Sequence, residues 1–249
     1  MNGDGMDDII VADISRNSIS IILQSKTGPF QEIKVASDII APSHVQAFDF
    51  DKDGKLEILV SVLGMLFPNN DKIGSIVYLH NEGKLKFTKH VLIEKITRAS
   101  DVRAGDVDGD GDNDLVVSEF GYDDGETRWM ENLGDLKFKS HILQSLSGGI
   151  NCEISDFDND GDLDIALLVS QEWEEIYLLS MMGQEILSPN LSGAPPILIL
   201  DPAVLTSWIL IWMEIWTSCI QTEMPLIIFL QDQDPAWNSM VGKQGRTKF

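Results

Sequence analysis

Positive charge and cysteine are scarce in this 249-residue chain, and each shortage closes off a class of function. Eighteen Lys and Arg stand against 40 Asp and Glu, a formal net charge of -22. That balance disfavours nucleic acid and anionic membrane surfaces as partners and makes cations the natural counterpart. The two cysteines, Cys152 and Cys219, imply no disulfide framework and leave the redox compartment open. Long apolar stretches are missing too. A membrane helix needs about 18 or more such residues, yet the charge-free run from Pro202 to Met213 is bounded by Asp201 and Glu214, so no membrane span is predicted. The opening "MNGDGMDD" has no basic region followed by an apolar run, and no signal peptide is read there. No phosphate-binding glycine loop occurs. His44, His80, His90 and His141 are scattered without metal-ligand spacing, and each is expected on a turn or strand surface. What remains is an ordinary globular composition, 43% hydrophobic and 23% charged.

The acids are not spread evenly. Three stretches fit D-x-D-x-D-G-x-x-[DE]: "DFDKDGKLE" over 49–57, "DVDGDGDND" over 106–114 and "DFDNDGDLD" over 156–164. A fourth opens the chain, where Asn2, Asp4, Gly5 and Asp8 fall at loop positions three, five, six and nine; its first Asp would lie before Met1, so the sequence reads as starting inside a repeat. The four loops hold three, four, five and five acids in chain order, 17 of the chain's 40. Carboxylates at positions one, three and five can converge on one point if the glycine at six permits a sharp turn. The carbonyl at seven and the acid at nine complete the cage. Hard oxygen donors in a flexible loop suit Ca²⁺ better than Mg²⁺, which demands stricter octahedral geometry. The expected ligands are therefore Asn2, Asp4, Met6 and Asp8; Asp49, Asp51, Asp53, Lys55 and Glu57; Asp106, Asp108, Asp110, Asp112 and Asp114; and Asp156, Asp158, Asp160, Asp162 and Asp164, with Met6, Lys55, Asp112 and Asp162 at the carbonyl position. An EF-hand is excluded, because position twelve is Val60, Val117 or Leu167 instead of Glu, and the residues that follow each loop are not helical. "ILVSV", "LVVS" and "IALLV" instead read as strands buried on both faces.

Loop starts at 49, 106 and 156 are 57 and 50 residues apart, a spacing that fits a four-stranded propeller blade. "VQAFDF" enters the loop, "EILVSVLG" leaves it, and "GSIVYLHNEG" and "KFTKHVLIEK" follow. "VRAGDV", "DLVVSEFG", "ETRWMENLG" and "KFKSHILQ" repeat that order, and the turns "HNEGKLKF" and "ENLGDLKF" match. Such sheets must pack face to face around an axis, so the fold class is all-β, a partial β-propeller of about four blades.

The acidic loops, the apolar strand after each and the N-x-G-x-x-x-F turn resemble the FG-GAP or VCBS repeat family over about residues 1–178. The Gly-Ala-Pro that names the family is replaced by "VLG", "EFG" and "VSQ", which brings the match nearer to bacterial VCBS-type repeats than to integrin α-subunits. The resemblance implies a β-propeller with Ca²⁺ in its inter-strand loops, held by Asp49, Asp51, Asp53, Glu57 and their counterparts. It implies an extracellular or cell-surface binding or scaffold module for a protein or carbohydrate ligand. The alternative it leaves open is the propeller part of a secreted polysaccharide lyase or phospholipase. No catalytic acid pair stands apart from the loops, Cys152 is expected as a buried structural thiol, and Trp129 as blade core.

The spacing places a fifth loop between about 206 and 221, where the chain reads "WILIWMEIW". Read from the third base of each codon, Trp208 into Ile209 spells Asp, Trp212 into Met213 Asp, Met213 into Glu214 Gly, and Trp216 into Thr217 Asp. The shifted frame is the missing loop. The expectation is repeats over 1–179 and, over 180–249, the wrong-frame remnant of a further blade that packs poorly; a genuine C-terminal anchor is the alternative.

Overall fold

The computed structural model describes residues 1–67, 69–157, 160–170, 174–182 and 185–187. The readings made for the tail after 187, and for Asp158, lie outside the described residues.

Every described element is a strand. Each acidic loop is followed by a run of β-branched and aliphatic residues that suits a pleated, buried strand. These runs are β1 (Ile9–Asp13), β5 (Glu57–Val62), β9 (Asp114–Glu119) and β13 (Asp164–Ser170). The strands that enter loops are β4 (Pro42–Phe48), β8 (Ala99–Gly105) and β12 (Gly149–Ser155). The outer strands are β2 (Ser18–Leu23), β3 (Gln31–Ser37), β6 (Gly74–Asn81), β7 (Phe87–Ile96), β10 (Glu126–Asn132), β11 (Phe138–Gln144), β14 (Glu174–Met182) and β15 (Glu185–Leu187). They form four antiparallel sheets in chain order: β1-β2-β3, β4-β5-β6-β7, β8-β9-β10-β11 and β12-β13-β14-β15. The first has three strands, since β1 follows loop 2–8 as β5 follows loop 49–57, and the sheet holds the second to fourth strands of the pattern.

The cores lie between sheets, which explains the continuous apolar runs. On β5, Ile58 and Val60 pack with Ile10, Ile19 and Ile21 of the first sheet, while Leu59 between them packs with Val102, Leu115 and Val117 of the third. On β9, Leu115 and Val117 face the second sheet, and Val116 meets Cys152, Ile165 and Leu167 of the fourth. Period-two alternation thus splits one strand between two cores. Each fully buried aliphatic contributes roughly 1.5–3 kcal/mol, so adjacent sheets stabilise each other through every second residue. On β13 the same alternation leaves Ala166 and Leu168 only half-buried.

Trp129 is buried in the third core, stacked on His141 with centroids 4.5 Å apart, and Cys152 is a buried free thiol, both as expected. His44 departs from its reading as a surface residue. It is buried on β4, and its Nδ1 lies 2.6 Å from Oδ1 of Asp101 on β8. A single histidine in an alternating strand carries no sign of which neighbouring sheet it will meet.

Candidate metal centre

The loops close on themselves through recurring hydrogen bonds. The glycine at position six adopts the left-handed conformation, with φ of 77° at Gly5, 86° at Gly54, 97° at Gly111 and 100° at Gly161. Its amide donates to the first carboxylate: Gly54 N to Asp49 Oδ2 at 3.1 Å, Gly111 N to Asp106 Oδ2 at 3.1 Å and Gly161 N to Asp156 Oδ2 at 3.2 Å. Amide five donates to side chain three, from Asp53 to Asp51 and from Asp110 to Asp108, both at 3.2 Å, and from Asp4 to Asn2 at 3.0 Å. Amide seven donates to side chain five in all four loops: Met6 to Asp4, Lys55 to Asp53, Asp112 to Asp110 and Asp162 to Asp160. These Asx-type bonds bend the chain around a common point; in the fourth loop the first carboxylate also accepts from amide five, Asp160 N to Asp156 Oδ1 at 3.1 Å.

Carboxylate oxygens of two loops converge. Asp49, Asp51 and Asp53 each offer an oxygen within 4.8 Å of the others, as do Asp106, Asp108 and Asp110. Oδ1 of Asp49 and Oδ1 of Asp106 are buried without a hydrogen-bond partner, as is Oε1 of Glu57 at position nine. Buried acceptors are normally satisfied, so a donor set with three such atoms, in two loops, fits a hard cation. The acid at nine also accepts from amide two: Phe50 N to Glu57 Oε2 at 2.9 Å, Val107 N to Asp114 Oδ2 at 3.2 Å and Phe157 N to Asp164 Oδ2 at 3.0 Å.

The loops differ in detail. Asp114 gives its other oxygen, Oδ1, to the amide of Asn132 at 2.8 Å. Asp53 Oδ2 pairs with the Lys55 ammonium, which holds its carboxyl below the usual range. In the first loop Asn2 Nδ2 donates to Asp4 Oδ2 at 2.9 Å, and Asp8 receives the N-terminus at 3.1 Å and the amide of Gln24 at 3.0 Å. Burial raises the Glu57 carboxyl, opposed by the Phe50 amide and reinforced by the charges of Asp51, Asp53 and Asp49. Asp108 is raised for the same first reason, and burial lifts Asp114 to about 6 despite the hydrogen bond from Asn132.

Two features escaped the sequence reading. The turn asparagine grips the loop as well as the turn. Asn81 Nδ2 donates to the carbonyl of Leu56 at 2.9 Å while its Oδ1 accepts from Gly83 N at 2.9 Å; Asn132 does the same with Asn113 and Gly134, at 2.8 and 3.0 Å. The signal was the shared N-x-G, legible as a turn but not as a clamp. The second is His80, whose Nδ1 lies 3.6 Å from Asp51 Oδ2 at the edge of the second loop. Adjacent loops are also tied together, since Lys52 Nζ donates to the carbonyl of Gly111 and Asn113 Nδ2 to that of Phe50. A cleft of about 420 Å³ lies between them, lined by Lys52, Tyr78, His80, His90 and Asn132.

Among the described residues no helix is long and apolar enough to cross a membrane. The family described as FG-GAP-like repeat matches residues 1–60 and 65–117, which contain the first three loops and β1 and reach into β5 and β9. No curated protein matches the chain.

Proposed function

We propose that this chain, whose residues 1–60 and 65–117 match the FG-GAP-like repeat family, is a calcium-binding β-propeller module that acts outside the cytoplasm as a binding or scaffold domain. The observation that carries the calcium assignment is the set of buried, unpartnered oxygens, Asp49 Oδ1, Asp106 Oδ1 and Glu57 Oε1, in loops whose other oxygens already accept backbone amides. In this reading Asp49, Asp51, Asp53 and Glu57, and likewise Asp106, Asp108 and Asp110, hold the ion, with the carbonyls of Lys55 and Asp112 completing the cage. The cation would cancel repulsion among carboxylates crowded into nine residues and tie the strand that enters each loop to the strand that leaves it.

Weak loop sites of this kind fill at roughly 0.1–1 mM Ca²⁺, an extracellular concentration. The interaction partner is then a protein or carbohydrate presented outside the cell, and the ion's part is structural. A thermal melt of the full chain tests the assignment. Addition of EDTA should lower Tm and excess CaCl₂ should restore it, and the double variant Asp49→Asn, Asp106→Asn should lose most of that difference. Identical melting curves in EDTA and in calcium would overturn the assignment.

A further inference from the structure

His80 separates the second loop from the third. In the third blade the corresponding residue, just before the turn asparagine, is Glu131, whose Oε2 is already committed to Lys139 Nζ at 3.0 Å and His141 Nε2 at 2.6 Å. In the second blade a ring nitrogen of His80, an oxygen of Asp51 and an oxygen of Glu57 all lie within 4.8 Å of one another. Glu57 is completely buried, and its Oε1 has no hydrogen-bond partner. The Tyr78 hydroxyl also lies 3.3 Å from His80 Nδ1, and the two rings sit 6.0 Å apart.

An imidazole changes what the carboxylates can hold. Ca²⁺ selects hard oxygen ligands, whereas imidazole nitrogen suits first-row transition ions, and Zn²⁺ accepts nitrogen and carboxylate oxygen together. We propose that Asp51, Glu57 and His80 form a Zn²⁺-class transition-metal site on the second loop, with no equivalent on the third, where Asp114 spends its two oxygens on the amides of Val107 and Asn132. The site shares Asp51 and Glu57 with the calcium reading of that loop and rests on it to the extent that the loop is cation-binding. It departs from that reading in the metal it selects and in the nitrogen that selects it. The cleft beside it gives the ion a path from solvent.

The test is a titration of the untagged full chain with ZnCl₂, followed by calorimetry and by histidine side-chain NMR, with CaCl₂ titrated in parallel. One Zn²⁺ should bind with a shift of the His80 ring resonances, and loss of this ligand in His80→Asn should weaken it by at least about tenfold, the lower end of what loss of even an outer-sphere partner costs. His80→Gln should behave the same way, and both variants should keep the wild-type response of Tm to calcium. Superimposable Zn²⁺ isotherms for wild type and both variants, or shifts confined to His90 or His141, would overturn the site and leave the calcium assignment standing. A Zn²⁺ response through His80 in a chain whose Tm ignores calcium would support the site and remove the calcium assignment instead.

Discussion

Nδ1 of His44 lies 2.6 Å from Oδ1 of Asp101, and this contact joins the loop-entering strands of two adjacent blades. The two residues hold the same place in their strands, His44 opposite Ser61 and Asp101 opposite Ser118, and Asn151 opposite Leu168 continues the series. Asn151 Nδ2 donates to Asp101 Oδ2 at 2.7 Å, the Cys152 amide to the same atom at 2.9 Å, and Arg103 Nε stands 3.4 Å away. One buried carboxylate thereby links three blades.

Removal of that carboxylate should be among the most damaging single changes. Asp101→Ala leaves the buried His44 without this carboxylate and Arg103 with only Glu153 at 3.4 Å and the Cys152 carbonyl at 2.9 Å, a loss of about 3 kcal/mol. Urea unfolding of the variant checks this, and a loss under about 1 kcal/mol, the worth of an exposed pair, would refute it. The pH dependence has a definite sign. Burial pushes the Asp101 carboxyl up, but Arg103 and His44 outweigh it and hold it below the usual value of 3.8. A carboxyl lowered in the folded state contributes stability that is present above pH 3.8 and is lost as pH falls through its folded value. Asp101→Asn should therefore unfold with a shallower acid dependence below pH 3.8 than the wild type.

Glycine substitutions should separate backbone strain from steric clash. At Gly54 φ is +86° and a Cβ would meet nothing within 4 Å. Gly54→Ala should therefore cost only the left-handed conformation, about 1 kcal/mol. At Gly74, on β6, a Cβ would lie 2.1 Å from the carbonyl oxygen of Thr97 and 2.9 Å from the amide of Ala99. Both are backbone atoms that join β7 to β8, so Gly74→Ala should cost more than about 3 kcal/mol. Similar denaturation midpoints for the two variants would contradict the close approach at Gly74.

Cation binding should release protons at mildly acid pH. Burial raises the Asp114 carboxyl to about 6 in the metal-free loop, and Glu57 and Asp108 move in the same direction. A carboxyl raised on folding contributes stability that is fully present below its unfolded value, 3.8 for Asp114, and is lost as pH rises through about 6. A nearby divalent ion favours the ionised form, so calcium should bind more tightly as pH rises over the same window. Calorimetry at pH 5.5 in two buffers of different ionisation enthalpy should show proton release that vanishes at pH 8. Equal heats in both buffers at pH 5.5 would count against it.

The parts of this architecture that were legible in the sequence are those fixed by near neighbours along the chain. A loop that must bring positions one, three and five together has to carry its acids at that spacing with a glycine at six, and Asp49 to Gly54 does so within six residues. The strand after it must satisfy two cores, so "ILV" at 58–60 is apolar without alternation, and that too is local. His44, Asp101 and Asn151 were not legible as partners, because they are 57 and 50 residues apart and meet only once the sheets stack. His80 was hidden for a related reason. The pairing of Ile58 with Leu79 places the end of β6 over the loop, and nothing in "YLHN" declares that register.

The asparagine clamp separates the turn from the loop it holds. Asn132 uses Oδ1 for the turn amide of Gly134 and Nδ2 for the carbonyl of Asn113 at loop position eight. Asn132→Asp keeps the acceptor and abolishes the donor, so the hairpin should persist while the loop loses its anchor and gains a nearby negative charge. Asn132→Ala abolishes both. Both variants should bind calcium more weakly, by about 10-fold or more, as expected when a partner that orients the ligands is lost. Only Asn132→Ala should also lose the turn bond, which is worth about 1 kcal/mol. Calcium titrations and urea unfolding in EDTA read the two effects separately. If Asn132→Asp bound calcium as tightly as the wild type, the position-eight carbonyl would not need its clamp, and the loop's own Asx bonds would be sufficient to hold the cage.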